Sequence, residues 1–212
     1  MHWFYYLARY LTRVILFLTT NWRVRGRENI PGSGPLLIVA NHLSLADPPV
    51  VGVSIKRKVV FLAKEDLFRN RFIRYLITSY GAFPIRRGRL SRGVLQKAEQ
   101  WLGRNVALVI FPEGKRSNDT RLQPAFTGSA VIASRFGAPI LPLGITGTER
   151  VKGHLWWLRR PVITVNIGKP FSLPPVNGKL SKEERGQLTN SIMEHIAELL
   201  PPEYQGQYEK KA

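Results

Sequence analysis

The sequence predicts an α/β fold, and two features of its pattern carry that prediction. Short apolar runs bounded by proline, glycine or charged residues recur along the chain, and segments with helical periodicity lie between them. Such bounded runs are typical of buried strands, and strands that alternate with helices are typical of an α/β domain. The length of 212 residues and the hydrophobic content of 44% allow one domain with a substantial core.

The first 20 residues predict an amphipathic helix whose apolar stripe lies apart from Arg9 and Arg13. The stripe consists of Trp3, Leu7, Tyr10, Val14 and Phe17. This pattern favours a helix in a membrane interface, because a spanning helix needs about 20 apolar residues without central charges. A helix packed on its own domain is the alternative. We therefore predict an N-terminal membrane-interface helix over residues 1–25 and an α/β domain over residues 26–212.

The remaining elements follow in order. Residues 21–34 predict a polar connection that ends in a turn. Strands are predicted over residues 35–40, 59–63, 81–87, 107–110, 139–145 and 161–167. Helices are predicted over residues 48–55, 67–80, 91–102, 130–136 and 181–200. Specific signals mark several helix boundaries, namely a cap at Ser91, stops at Gly103 and Gly137, and a capping box formed by Ser181 and Glu184. Four residues of the 67–80 segment are expected to contact the core: Leu67, Ile73, Leu76 and Ile77.

The strand over residues 35–40 leads into a heptapeptide, residues 41–47, that contains His42 and Asp47. A strand end presents reactive side chains to a cleft, and the spacing of five residues requires a turn if the carboxylate is to reach the imidazole. Imidazole titrates near neutrality, and a carboxylate on one ring nitrogen fixes its tautomer, so the pair predicts an oriented base. The alternative is that Asp47 caps a short helix and His42 is merely hydrogen-bonded.

A second polar stretch, residues 111–117, follows the strand over residues 107–110. It places Glu113, Lys115 and Arg116 around Gly114, in a flexible loop suited to a phosphate or a polyol. Together the two stretches resemble the glycerolipid acyltransferase family typified by lysophosphatidic acid acyltransferase. The signatures of that family, N-H-x-x-x-x-D and F-P-E-G-x-R-S, both stand here intact.

This resemblance implies a single α/β domain with a mixed central β-sheet flanked by helices. It also implies a membrane-associated O-acyltransferase that moves a fatty acyl group from acyl-CoA or acyl carrier protein to a lysophospholipid hydroxyl. The acceptor implied first is 1-acylglycerol-3-phosphate, and another lyso-lipid or lipid-linked hydroxyl is the alternative. In this reading His42 is the general base and Asp47 orients it. The acceptor is bound by Arg87, Glu113, Gly114, Lys115, Arg116 and Ser117.

Two positions depart from the family pattern. Arg87 falls on an arginine that the family uses to grip the phosphate of the acceptor, and Arg86 stands where many members carry aspartate. Phe126 replaces a lysine that is common after the second signature. Arg86 adds a cation beside the phosphate position and leaves the acceptor preference open, and two exposed charges are the alternative interpretation of Arg86 and Arg87. No role of the replaced lysine can be carried over to Phe126.

Composition limits the other classes of function. The absence of cysteine excludes disulfides and thiolate metal sites, and the four histidines lie far apart in sequence, so no zinc centre is expected. The reaction that the resemblance implies requires no metal or bound cofactor. There is no Gly-x-Ser-x-Gly elbow for a serine acyl-enzyme, and Val109 stands where a P-loop requires its first glycine.

The net charge of +18 indicates a polyanionic partner. The sequence contains no nucleic-acid motif, which favours an anionic membrane on the cytoplasmic face and phosphorylated or CoA-type substrates. A basic binding module without catalysis is the alternative. Residues 156–160, Trp-Trp-Leu-Arg-Arg, have the aromatic and basic character of a second interfacial segment, with a strand as the alternative.

Overall fold

The computed structural model of the chain describes residues 3–85, 90–174 and 180–209. The strands are β1 (Asn21–Arg25), β2 (Leu37–Ala40), β3 (Val59–Lys64), β4 (Ala82–Ile85), β5 (Ala107–Ile110), β6 (Ile140–Thr146) and β7 (Val162–Ile167). The α-helices are α1 (Trp3–Thr19), α2 (Asp47–Ser54), α3 (Arg71–Ser79), α4 (Arg92–Gly103), α5 (Gly128–Phe136), α6 (Lys182–Ala197) and α7 (Pro202–Gln205). The predicted strands and the longer helices are thus present.

The described strands form one seven-stranded sheet in the order β1-β7-β6-β2-β5-β3-β4. β6 and β7 pair antiparallel, and the other neighbouring strands pair parallel. The predicted fold, a single α/β domain with a mixed central sheet flanked by helices, is confirmed. β2 lies at the centre, and this position decides where the site forms.

Apolar side chains cover both faces of the sheet. In β2, Leu37 and Val39 face a core completed by α4, α5 and α6, whereas Ile38 and Ala40 face a core completed by α1 and α2. This alternation follows from the period of two along a strand, and burial on both faces explains why β2 is apolar throughout.

Helix α1 packs on its own domain by one side, as the alternative to a membrane-interface helix requires, and contact of its other side with a membrane stays a prediction. Tyr5 and Leu16 are buried against the domain, and the Arg9 guanidinium donates to the carbonyl oxygens of Ile55 and Arg57, at 2.6 and 2.9 Å. The predicted stripe faces away from these contacts, and Phe17 at its end is 74% exposed. The helix is therefore fixed to the domain by one side and presents aromatic groups on the other.

The predicted extent of the N-terminal helix, residues 1–25, is wrong, because the helix ends at Thr19 and residues 21–25 form β1. The prediction of a polar connection over residues 21–34 is wrong for the same five residues. β1 pairs with β7 at the edge of the sheet, and every second side chain of β1 is exposed, so polar residues are tolerated there.

The predicted boundary signals at Ser91, Gly137 and Ser181 are confirmed, whereas α4 includes Gly103 and so ends one residue later than predicted. The Ser91 hydroxyl accepts from the amide of Val94 at 3.3 Å, and Gly137 ends α5 with a left-handed φ of 56°. The capping box at the start of α6 is present, with Ser181 accepting from Glu184 at 3.1 Å and donating its amide to the Glu184 carboxylate at 2.7 Å.

The core contacts predicted for the 67–80 segment are wrong. This segment forms a short 3₁₀ helix, Glu65–Phe68, followed by α3, and no residue of α3 is buried. The reason is its position, since α3 packs on the edge strand β4 and on the 3₁₀ turn rather than between layers. Its apolar side chains line a cavity or face outward.

Candidate active site

The site forms where the carboxyl ends of β2 and β5 meet. These strands are parallel neighbours, so the residues that follow them, His42 and Phe111, lie at the same edge of the sheet. After β2 the chain continues to β3 on one side of β2, and it later forms β6 on the other side of β2. The carboxyl end of β2 is therefore a topological switch point of the sheet. Crevices at such points are where open α/β sheets bind their ligands.

The heptapeptide turns so that Asp47 reaches His42, as the five-residue spacing requires. Asp47 Oδ2 lies 2.7 Å from His42 Nδ1 and also accepts from the amides of Leu43 at 2.6 Å and Ser44 at 2.7 Å. Asp47 is fully buried, and the His42 side chain is 17% exposed. Because a carboxylate only accepts, Nδ1 carries the proton, and Nε2 is the basic nitrogen.

Asp47 also begins α2 and is followed by two prolines in its first turn. The Asp47 carboxylate does not cap α2, because the amides that donate to Oδ2 belong to Leu43 and Ser44 in the turn before the helix. Asp47 Oδ1 has no hydrogen-bond partner among the described residues. All of the hydrogen bonding of the carboxylate therefore converges on one oxygen, which holds both the turn and the imidazole.

Neighbouring groups fix the position of the histidine. The Phe111 ring stacks on the imidazole with centroids 4.3 Å apart and an interplanar angle of 23°. The Asn41 side chain donates to the carbonyl oxygen of Ile145 at 2.8 Å and accepts from its amide at 2.7 Å. Asn41 thus replaces a peptide group and prolongs the pairing of β2 with β6 by one residue, which brings His42 out at a defined point.

Two hydrogen bonds join the heptapeptide to the loop after β5. The His42 amide donates to Glu113 Oε1 at 2.8 Å, and the Ser117 amide donates to the His42 carbonyl oxygen at 2.8 Å. Glu113 Oε2 accepts from the amide of Gln123 at 2.9 Å. The buried carboxylate thus connects three segments of backbone.

Burial determines the protonation of this carboxyl group. Desolvation raises the pKa of Glu113 to about 7. The hydrogen bonds from the two backbone amides favour the charged form and lower this pKa, but their effect is smaller than that of desolvation. Glu113 therefore titrates near neutral pH while it holds the backbone of the residue that carries the imidazole.

The other predicted acceptor ligands occupy different environments. Gly114, Lys115 and Arg116 line the cavity described below, and the two cations are exposed. The Ser117 hydroxyl is buried and lies 2.8 Å from Asp119 Oδ1 and 2.7 Å from the Arg121 carbonyl oxygen. Ser117 shapes the loop, whereas Lys115 and Arg116 present charge.

Gly114 is required by its conformation and by its neighbour. Its φ is +63°, and a Cβ at this position would lie 2.8 Å from the Phe126 ring. Phe126, which stands where the family commonly has lysine, therefore packs against the backbone of the loop. An apolar contact takes the place of a cation at the edge of the site.

A cavity of about 1090 Å³ extends from the loop past His42 towards α1 and α3. Its far walls are apolar, formed by residues of α1 and α3 such as Leu7, Leu11, Leu76 and Ile77. Near His42 the walls become polar, with Lys115 and Arg116 on one side. The cavity suits an amphiphile whose chain is apolar and whose head is anionic.

Sequence reasoning missed several residues of this site. The α1 side chains, Lys64 and Arg185 line the cavity, and no local motif marks them because they come from distant parts of the chain. Phe111 belongs to a motif, but its stacking depends on the third dimension. Arg86 and Arg87 lie outside the described residues, so the predicted phosphate contact of Arg87 stays a prediction.

Two absences among residues 3–85, 90–174 and 180–209 bear on the site. These residues contain no group of three or more histidine, aspartate or glutamate side chains placed to hold a metal ion. Within the same ranges, no helix is both long enough and apolar enough to cross a membrane.

Comparison with known proteins places the chain among relatives of one kind. A 1-acyl-sn-glycerol-3-phosphate acyltransferase of Bacillus subtilis (strain 168) is 26% identical over 188 residues, which cover 88% of this chain and 92% of the relative. The protein of the same name from Streptococcus pneumoniae (strain ATCC BAA-255 / R6) is 29% identical over 201 residues, with coverages of 92% and 73%. The chloroplastic relative BAT2 of Brassica napus is 27% identical over 172 residues, and the match spans only 50% of its length.

The fold has a counterpart among solved structures. The crystal structure of the 1-acyl-sn-glycerophosphate (LPA) acyltransferase PlsC from Thermotoga maritima aligns with a TM-score of 0.66 at 25% identity, covering 92% of this chain and 79% of that one. The sequence model of the family described as Acyltransferase matches residues 21–146, a range that contains both loops of the site. The chain belongs to the acyltransferase family.

Proposed function

We propose that this acyltransferase moves a fatty acyl group from an acyl thioester to the free hydroxyl of 1-acylglycerol-3-phosphate, giving phosphatidic acid. The observation that carries the proposal is the His42–Asp47 pair, with Nδ1 and Oδ2 2.7 Å apart, at the polar end of a long apolar cavity. The names of the relatives support the acceptor. Acyl-CoA and acyl carrier protein are both candidate donors.

In the proposed reaction His42 Nε2 removes the proton of the acceptor hydroxyl as its oxygen attacks the thioester carbonyl carbon. The tetrahedral intermediate then collapses, the carbon–sulfur bond breaks, and the imidazolium returns the proton to the departing thiolate. Asp47 stabilises the imidazolium and fixes its orientation. General base catalysis typically supplies about 10²–10⁴-fold, so the two loops and the cavity contribute by positioning both substrates.

The loop after β5 has two proposed tasks. Lys115 and Arg116 are exposed cations on the cavity wall, and we assign them to the phosphate of the acceptor together with Arg87. Gly114 allows the backbone to approach the acceptor. Glu113 positions the backbone of His42 and Ser117 shapes the loop, because both side chains are engaged in hydrogen bonds with the protein. No metal ion or bound cofactor has a task in this scheme.

The enzyme would work at the cytoplasmic face of the cell membrane. The exposed stripe of α1 and the net charge of +18 support attachment to anionic lipid. Residues 156–159 form a 3₁₀ helix in which Trp157 and Leu158 are exposed, and Arg160 Nη2 lies 3.4 Å from the Phe17 carbonyl oxygen at the end of α1. This contact supports the proposal that residues 156–160 and α1 belong to one membrane-facing surface.

The test is acyl transfer by the purified full chain, followed by thiol release and by mass spectrometry of the lipid product. We expect transfer to 1-acylglycerol-3-phosphate to exceed transfer to lyso-lipids with other head groups, and His42→Ala to abolish it without loss of fold. Faster transfer to another lyso-lipid would replace the proposed acceptor. Full activity in a folded His42→Ala protein would refute the mechanism.

A further inference from the structure

Helix α3 has an amphipathic sequence but no buried residue. Phe72 is 69% exposed and Tyr75 is 59% exposed, and none of the nine residues of α3 is buried. A helix this short is not stable in isolation, and most helices gain their stability by packing an apolar face. The Asn70 side chain caps α3 by accepting from the amides of Phe72 and Ile73, at 3.0 and 3.1 Å. The helix is well formed, and its aromatic side chains face outward.

The exposed face of α3 continues the exposed face of α1. The rings of Phe4 and Tyr75 are in contact, with centroids 5.7 Å apart. Both helices line the same cavity, α1 with residues such as Leu11 and α3 with Leu76 and Ile77. The outer side chains of the two helices therefore form one surface at the apolar end of the cavity that leads to His42.

The polar side of α3 is cationic. Arg71 and Arg74 are three residues apart, so they lie on one side of the helix, and both are exposed. The helix itself contains no acidic residue. Aromatic groups beside arginine on a short amphipathic helix suit the boundary between anionic head groups and acyl chains.

We propose that α3 is a second membrane-contact element, which inserts Phe72 into an anionic lipid surface, and that lipid reaches the cavity between α1 and α3. The proposal rests on the proposed function in one respect, that the ligand of the cavity is a lipid. It identifies the surface through which this ligand arrives, and the occupant of that surface is the lipid bilayer.

The chain contains no cysteine, which allows single labels at chosen positions. Phe72→Cys in the full chain would carry an environment-sensitive fluorophore. The matched control is Gln100→Cys on α4, an exposed position on the opposite side of the sheet. With vesicles that contain phosphatidylglycerol, we expect a blue shift and quenching by bromine-labelled acyl chains at position 72 and neither change at position 100.

Equal responses at positions 72 and 100 would overturn the proposal. A blue shift at position 72 without vesicles, together with a doubled mass in solution, would also overturn it, since a second copy of the chain would then cover α3. Neither readout requires catalysis, so this test can fail or succeed independently of the proposed reaction.

A second variant measures the consequence for lipid delivery. Phe72→Ser should lower vesicle affinity about tenfold, because burying a phenyl ring in an apolar environment raises a binding constant by roughly this factor. It should slow transfer to an acceptor embedded in vesicles and leave transfer to a short-chain, monomeric acceptor unchanged. Equal losses on both acceptors would count against lipid entry at α3. No transfer by the unaltered chain to either acceptor would reject the proposed function instead.

Discussion

Glu113 offers the sharpest test of how the site is held together. The substitution Glu113→Gln keeps the size of the side chain and removes its charge. In the native protein the two carboxylate oxygens accept from the amides of His42 and Gln123, at 2.8 and 2.9 Å. A glutamine oxygen can accept one of these hydrogen bonds, and its amide group would face the other amide. One buried donor is then left unsatisfied, which costs about 1–3 kcal/mol.

The pH dependence of stability adds a second signature. Burial raises the pKa of Glu113 from its ordinary value of 4.5 to about 7 in the folded protein. Below about pH 4.5 the carboxyl group is protonated in both states, and between 4.5 and 7 only the unfolded state has lost the proton. The free energy of unfolding therefore falls as the pH rises through this window, by about 3 kcal/mol at most. Above about pH 7 the contribution of Glu113 to the free energy of unfolding no longer changes with pH.

Glutamine does not titrate, so the variant lacks this slope. The penalty of Glu113→Gln should be largest near pH 5 and should shrink towards about pH 8, where the native protein carries the buried charge. Urea unfolding of both proteins at the two pH values measures the difference. Parallel changes in the free energy of unfolding would show that Glu113 does not titrate in this window, and the reasoning from its burial would fail.

Kinetics separates the two tasks that Glu113 could have. If it positions the backbone of His42, Glu113→Gln should lower kcat and leave the KM for the acceptor nearly unchanged. If it binds the acceptor directly, as the family resemblance implies, the KM for the acceptor should rise first. A rise in KM at constant kcat would contradict the indirect role proposed here.

Four further outcomes are expected. Asp47→Asn can keep all three hydrogen bonds on its oxygen but loses the charge, so kcat should fall by about 10²-fold or more while the protein stays folded; an unchanged kcat would contradict the role of the charge. Arg116→Lys loses bidentate geometry and should impair phosphate-bearing acceptors more than neutral ones; equal losses would indicate another role. Gly114→Ala should destabilise the loop, because the new Cβ meets the Phe126 ring and because φ is +63°. Adding Phe126→Ala should relieve the clash with the ring but not the backbone strain, and thermal unfolding of the single and double variants tests this. Phe17→Ser should weaken vesicle binding at high salt, because apolar burial is not screened; retention equal to that of the unaltered chain would contradict membrane contact by α1.

Local signals in the sequence predicted much of this protein. The boundaries at Ser91, Gly137 and Ser181 depend on contacts within one turn, and each is present. The proximity of His42 and Asp47 was also predictable, since only five residues separate them. β1 and α3 were misjudged because their environments depend on the edges of the sheet, and sequence alone does not reveal which strands are edges.

The dual nature of α1 decides how membrane attachment can be tested. Its inner side supplies the buried Tyr5 and Leu16, and Arg9 binds the carbonyl oxygens of Ile55 and Arg57. Deletion of the helix would therefore remove part of the core together with the proposed anchor, and lost vesicle binding in such a protein would have two causes. Substitutions on the exposed stripe alone, such as Phe17→Ser, leave the inner contacts in place. The effect of such a single change on vesicle binding therefore has one physical origin.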